Sequence, residues 1–209
     1  AEVAKHPNIT AIPADVTDEA SVRAMFGTFC DVIGAPDLVI ANAGMAESAP
    51  FGKTSIDLWK RTMDVNLTGT FLTFREGLNV MGRAKPGRLI SIASTAGLKG
   101  YAYVTAYCAA KHAVVGLVKS LATELASTPI TVNAVCPGFM ETPMLEQSVA
   151  NIVAKTGMSA EDARASLAKI NPQNRLIQPE EVAQTVMWLA SSQAASITGQ
   201  AISVSGGEI

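Results

Sequence analysis

Five short apolar runs recur along the chain: ITAIPA at 9–14, DLVIAN at 37–42, RLISIA at 88–93, ITVNAV at 130–135 and AISVSG at 201–206. Longer segments of helical period lie between them, at about 18–33, 55–81, 103–126 and 179–191. A strand that faces water on one side alternates apolar and polar residues; these runs are apolar almost throughout. That pattern belongs to a parallel sheet buried on both faces by the helices that connect its strands. The expectation is an α/β fold with a doubly wound, mostly parallel sheet. At 209 residues the chain can bury one substantial core, so we read a single domain over 1–209.

In such a sheet ligands sit at the carboxyl ends of the strands. The first run leads into Asp15-Val16, the second into Asn42-Ala43-Gly44, the third into Ser94 and the fourth into Cys136-Pro137-Gly138. Each alone reads as a helix cap or a tight turn. Together, along one edge of the sheet, they mark a candidate crevice.

Behind that edge, the segment AYCAAKHAVVGLV carries Tyr107 and Lys111 four residues apart, on one face of a helix. A lone pair of this kind is common on exposed helices, but the small residues around it favour close packing. The chemistry that uses a phenol beside an ammonium is proton transfer. A free tyrosine has a pKa near ~10, and lowering it by about three units takes ~4 kcal/mol in favour of the phenolate. An ammonium ~4 Å away supplies about 1 kcal/mol in bulk water and about 4 at an effective dielectric of about 20. The pair therefore works as a base only where water is excluded. Ser94, at a strand end, would hydrogen-bond a substrate oxygen as charge develops on it. Asn66 falls inside a predicted helix, where it is either an exposed polar residue or an amide holding a water beside Lys111.

Composition excludes several other classes. The formal charge is -2 and no basic run stands out, so a nucleic-acid partner is not expected. No apolar segment reaches spanning length and no signal-peptide pattern is present, so a cytoplasmic protein without a membrane partner is expected. Cys30, Cys108 and Cys136 are far apart and odd in number; they read as free thiols, with no metal site.

The set Asn66, Ser94, Tyr107 and Lys111 resembles the catalytic tetrad of the short-chain dehydrogenases/reductases, which share a Rossmann-like fold. The flanking motifs fit: ADVTD at 14–18, ANAG at 41–44, DVNLTGTF at 64–71, SIASTAG at 91–97, NAVCPGFMETPM at 133–144 and ITGQAISVSGG at 197–207. The resemblance implies an NAD- or NADP-dependent oxidoreductase interconverting an alcohol and a ketone. Tyr107 would be the general acid/base, Ser94 the anchor of the substrate oxygen, Lys111 the group that lowers the phenol's pKa and bonds the nicotinamide ribose, and Asn66 part of the proton relay. Asp15 and Val16 resemble the pair that contacts adenine. Asn42, Ala43 and Gly44 would run along the adenosine, and Pro137, Gly138, Met140 and Thr142 along the nicotinamide. Alanine stands where the family commonly has asparagine in NNAG and serine before the lysine; neither removes a functional atom.

The family opens with a strand, a glycine-rich turn, a helix and a second strand, and these 209 residues begin with AEVAKHPNIT instead. ITAIPA resembles the family's third strand. About 30–50 residues, roughly one βαβ unit, are therefore expected to be missing, and the choice between NAD and NADP lies within them. Residues 143–175 correspond to the segment that covers the substrate, with Phe139, Met144 and Leu145 near the site. The motifs look most like members acting on 3-hydroxyacyl or 3-oxoacyl thioesters, and also like aromatic-polyketide ketoreductases. Tyr101 and Tyr103 either flank a ring or cap the helix. A non-catalytic dinucleotide-binding module is the contrasting reading, and the intact Ser, Tyr, Lys and Asn set argues against it. A homotetramer is the family expectation, through helices 55–81 and 103–126 across one axis and the apolar carboxyl end across another.

Overall fold

The computed structural model describes residues 8–209. Four parallel strands, β1 (Leu38–Ala41), β2 (Gly87–Ile92), β3 (Ile130–Pro137) and β4 (Ala201–Val204), form one sheet in the order β1-β2-β3-β4. Their register pairs Val39 with Leu89, Ile90 with Asn133 and Val135 with Ile202. The architecture is the expected α/β fold, with helices on both faces of a parallel sheet.

Alternation along the strands explains the layers. Val39, Leu89, Val132 and Ala134 point to one face, where they pack with Val22 and Phe26 of α1 (Glu19–Val32), Leu72 and Phe74 of α3 (Gly69–Met81), and Val114 and Val118 of α4 (Thr105–Glu124). Ile90 and Val135 point to the other, against Val182, Val186 and Leu189 of α7 (Pro179–Ala190). Both β2 and β3 are buried along nearly their whole length, as near-continuous apolar runs require.

Local chemistry fixes the helix starts. Asp18 accepts from Ala20 N at the head of α1, and Ser55 from Leu58 N at the head of α2 (Ile56–Met63). Pro143 opens α5 (Pro143–Thr156), which ends on Gly157 in the left-handed region at φ 73°. Ser159 caps α6 (Ala160–Ala168). These two helices share a small core of their own, Leu145, Val149, Ala163, Leu167 and Leu176.

Two expectations are corrected. ITAIPA at 9–14 forms no strand and is largely exposed. Its sequence suits a strand, but no neighbour in the sheet offers it a ladder of hydrogen bonds. The segment 55–81 is not one regular helix: five residues, Asp64–Thr68, wind as a π turn between α2 and α3. The amide of Gly69 reaches back to Asp64 O, one residue further than an α-helix would place it.

Candidate active site

The π turn decides where Asn66 goes. Its side chain is fully buried, with Nδ2 donating to Met45 O and Thr62 O, both at 2.9 Å, and Oδ1 accepting from Met45 N at 3.3 Å. The exposed-residue reading of Asn66 is thereby excluded. Met45 follows the Asn42-Ala43-Gly44 run that leaves β1, so Asn66 ties the turn to that strand's carboxyl end.

Ser94 leaves β2 and caps the short turn Thr95–Gly97, its Oγ accepting from Ala96 N at 3.0 Å. Gly97 seats this turn directly on α4. A Cβ there would stand 2.7 Å from Lys111 O, so only glycine lets the two backbones approach this closely. The seating brings the Ser94 side chain within hydrogen-bonding reach of the Tyr107 phenol. Lys111, 3 % exposed on the buried face of α4, donates from Nζ to Ile92 O at 2.9 Å. Its ammonium lies 5.6 Å from the centre of the Tyr107 ring.

Asn66 and Lys111 meet across Gly44. A Cβ on Gly44 would come 3.1 Å from Asn66 Oδ1 and 3.7 Å from Lys111 Nζ. The four predicted tetrad residues thus come from the β2 end, α4 and the π turn to one place.

The electrostatics of this site differ from the sequence expectation. Burial pushes the Tyr107 phenol above its ordinary value, and the Ser94 hydrogen bond pulls it only partly back. Lys111 is itself lowered to about 8, chiefly by burial. The ammonium is held on a backbone carbonyl, 5.6 Å from the centre of the phenol ring. The Cys136 thiol, also buried here, is pushed up to about 11.

The other predicted residues are distributed as follows. Asp15 is exposed, its Oδ1 accepting from Thr17 N and Oγ1, which holds its carboxyl below the usual range. Val16 packs on Gly69, just past the π turn. Asn42, Ala43 and Gly44 are exposed along the end of β1. Pro137 closes β3, and Gly138 N donates to Val204 O. Met140 bridges to Ile177, and Thr142 precedes α5, its hydroxyl donating to Met140 O at 3.3 Å. Phe139 meets Tyr101 edge-on at 5.9 Å between ring centres. Met144 is partly exposed, whereas Leu145 turns inward to the core of α5 and α6 and so does not face the cleft.

Sequence reasoning missed Glu208. Its side chain is 2 % exposed and accepts from Tyr101 Oη and from Lys99 Nζ, the latter at 2.8 Å. Its partners lie more than a hundred positions away, and no local pattern marked it.

The residues present suit a nicotinamide nucleotide. The exposed Asn42–Gly44 run offers close backbone approach beside Asn66 and Lys111, and among the described residues Lys111 Nζ has one acceptor for its three donors.

The family described as enoyl-(acyl carrier protein) reductase matches residues 1–208. A 3-oxoacyl-(acyl-carrier-protein) reductase of Vibrio harveyi is 36 % identical over 200 residues, covering 96 % of this chain and 78 % of that protein. The D-beta-hydroxybutyrate dehydrogenase of Rhizobium meliloti strain 1021 is 34 % identical over 196 residues, covering 93 % and 76 %. Among solved structures, a variant actinorhodin polyketide ketoreductase with NADPH superposes with a TM-score of 0.89 at 36 % identity, covering 93 % of this chain and 76 % of that one. The chain belongs to the short-chain dehydrogenase/reductase family and is an oxidoreductase of that family, whose members use NAD(P). Among the described residues no helix is long and apolar enough to cross a membrane.

Proposed function

We propose that this protein interconverts a secondary alcohol and a ketone, with a 3-hydroxyacyl/3-oxoacyl thioester as substrate and NAD or NADP as cofactor. The observation that carries the reading is the convergence of Ser94, Tyr107 and Lys111 with Asn66 across Gly44. The bound nicotinamide would supply the exchange of a hydride with the substrate carbon. Ser94 Oγ would hold the substrate oxygen, and Tyr107 Oη would take the alcohol proton or return it to the ketone oxygen. Lys111, charged below about 8, has donors left for the nucleotide ribose, and the cationic ring beside it would favour the phenolate that burial now disfavours. Asn66 Oδ1, 3.1 Å from the Cβ position of Gly44, would hold the water through which the proton reaches solvent. Asp15, Val16, Asn42, Ala43 and Gly44 would line the adenosine side, and Pro137, Gly138, Met140 and Thr142 the nicotinamide side.

The edge-to-face Tyr101–Phe139 pair favours a second reading within the same chemistry, reduction of a ring-bearing polyketide ketone. In either case residues 143–175 would cover the substrate, and the active form would be a homotetramer. The test is Tyr107→Phe. Turnover of acetoacetyl thioesters should fall by at least about a thousandfold while NADPH or NADH affinity, followed by fluorescence, stays within about twofold. Turnover at a comparable rate would overturn the assignment of the proton to this phenol.

A further inference from the structure

The segment after β4 leaves the sheet at the carboxyl ends of its strands and inserts one carboxylate. Glu208 Oε1 accepts from Tyr101 Oη and pairs with Lys99 Nζ, whose ammonium also lies 5.0 Å from the centre of the Tyr101 ring. With the phenol's proton committed to Glu208, Thr95 Oγ1 donates to Tyr101 Oη at 2.6 Å. Thr95 is the residue after Ser94. Tyr101 then presents its ring edge-on to Phe139, which follows Gly138 at the end of β3. Glu208 Oε2 is buried without a partner among the described residues, 3.1 Å from where a Gly138 Cβ would stand. Room for the carboxylate therefore exists because residue 138 has no side chain.

A buried carboxylate with one orphaned oxygen gives little net stability, because the desolvation of that oxygen offsets the bonds made by the other. What the carboxylate does achieve is a fixed orientation for Tyr101, and through it for Phe139 and the Ser94 turn. We propose that Glu208 is a positioning residue that sets the Tyr101–Phe139 wall beside Ser94 and so determines which ketones the site accepts. The proposal rests on the oxidoreductase reading above for its substrate and on the hydrogen-bond geometry for its mechanism.

Three variants of the full-length protein test it: Glu208→Met, which keeps the length without acceptors, Glu208→Gln, whose amide oxygen still accepts from the phenol, and Tyr101→Phe. Steady-state kinetics would use NADPH or NADH with acetoacetyl thioester and with a bulkier bicyclic ketone. Glu208→Met should raise KM for at least one ketone about tenfold and change the ratio of the two kcat/KM values by a similar factor, with kcat within about threefold. Glu208→Gln should recover most of the loss, and Tyr101→Phe combined with Glu208→Met should add nothing further. An unchanged KM and ratio in Glu208→Met, or additive effects in the double variant, would overturn the proposal.

If the unmodified protein reduces neither ketone, the functional reading fails and a second measurement judges the positioning. In protein carrying 3-fluorotyrosine, the Tyr101 fluorine NMR signal, assigned by its loss in Tyr101→Phe, should be single and narrow, and should broaden or split in Glu208→Met. A signal that does not change between the two would show that Glu208 orders nothing there.

Discussion

At the residue scale, the site asks Lys111 to carry a charge where little water reaches it. Its pKa falls from 10.5 to about 8, so between those values the unfolded chain binds a proton that the folded chain has released. The contribution of Lys111 to stability should therefore rise with pH from about 8 to about 10.5, by as much as ~3 kcal/mol at ~1.36 kcal/mol per pH unit. Cys136, raised from 9.0 to about 11, and Tyr107, raised from 10.0, act in the opposite sense, since each ionises first in the unfolded chain, and they offset the rise above about pH 9. Urea unfolding at pH 7.5 and 9 should show the rise, and Lys111→Met should abolish it while stabilising the protein at pH 7.5 and ending turnover. A slope unchanged in the variant would mean that another group titrates. Tyr107, Ser94 and Lys111 were legible because a spacing of four on a helix and a place at a strand end are local patterns. The burial of Asn66 was not, since propensity treats it as a middling helix residue and carries no signal for a π turn. Glu208 was invisible because its meaning lies wholly in Tyr101, Lys99 and Thr95, which only the fold brings to it.

At the scale of elements, α7 shows how firmly a helix start can be held. Glu181 receives both terminal nitrogens of Arg175, at 2.6 and 2.7 Å, and the backbone N of Gln178 at 2.8 Å. These bonds lower its carboxyl to about 2, Arg175 contributing most. A depressed acid contributes stability above its unfolded value, near 4.5, and loses it as pH falls through about 2. Glu181→Ala should cost about 1 kcal/mol at pH 7, measured by urea unfolding, with the difference from the unmodified protein shrinking below pH 4.5. The helices at 18–33, 103–126 and 179–191 were readable to within two residues because their helical period is sustained. ITAIPA was misread for the opposite reason. A strand is a relation between two segments, and apolar sequence supplies only one of them.

Across the whole molecule, apolar side chains remain on the outside of two helices that the sheet does not cover. Phe71 on α3 is 41 % exposed, and Met187 and Trp188 on α7 are 68 % and 41 % exposed. Under the homotetramer reading, Met187→Lys should shift the mass measured by light scattering toward a smaller assembly; an unchanged mass would place the contact elsewhere. The parallel sheet itself was legible from five apolar runs, four of which pair as expected, whereas the distribution of helices between its faces required the alternation within each strand. The π turn has a consequence at this scale too. An extra residue in one turn advances a helix by about 100°, so α3 leaves the turn rotated relative to the course α2 had set. Leu72, Phe74 and Gly77 are buried on α3 beyond the turn. The defect that carries Asn66 inward is thus also the gearing that lets two amphipathic stripes share one surface. Losing the irregularity by a single deletion would misalign half a helix together with the Asn66 side chain, so the placement of that amide and the packing of α3 stand or fall together.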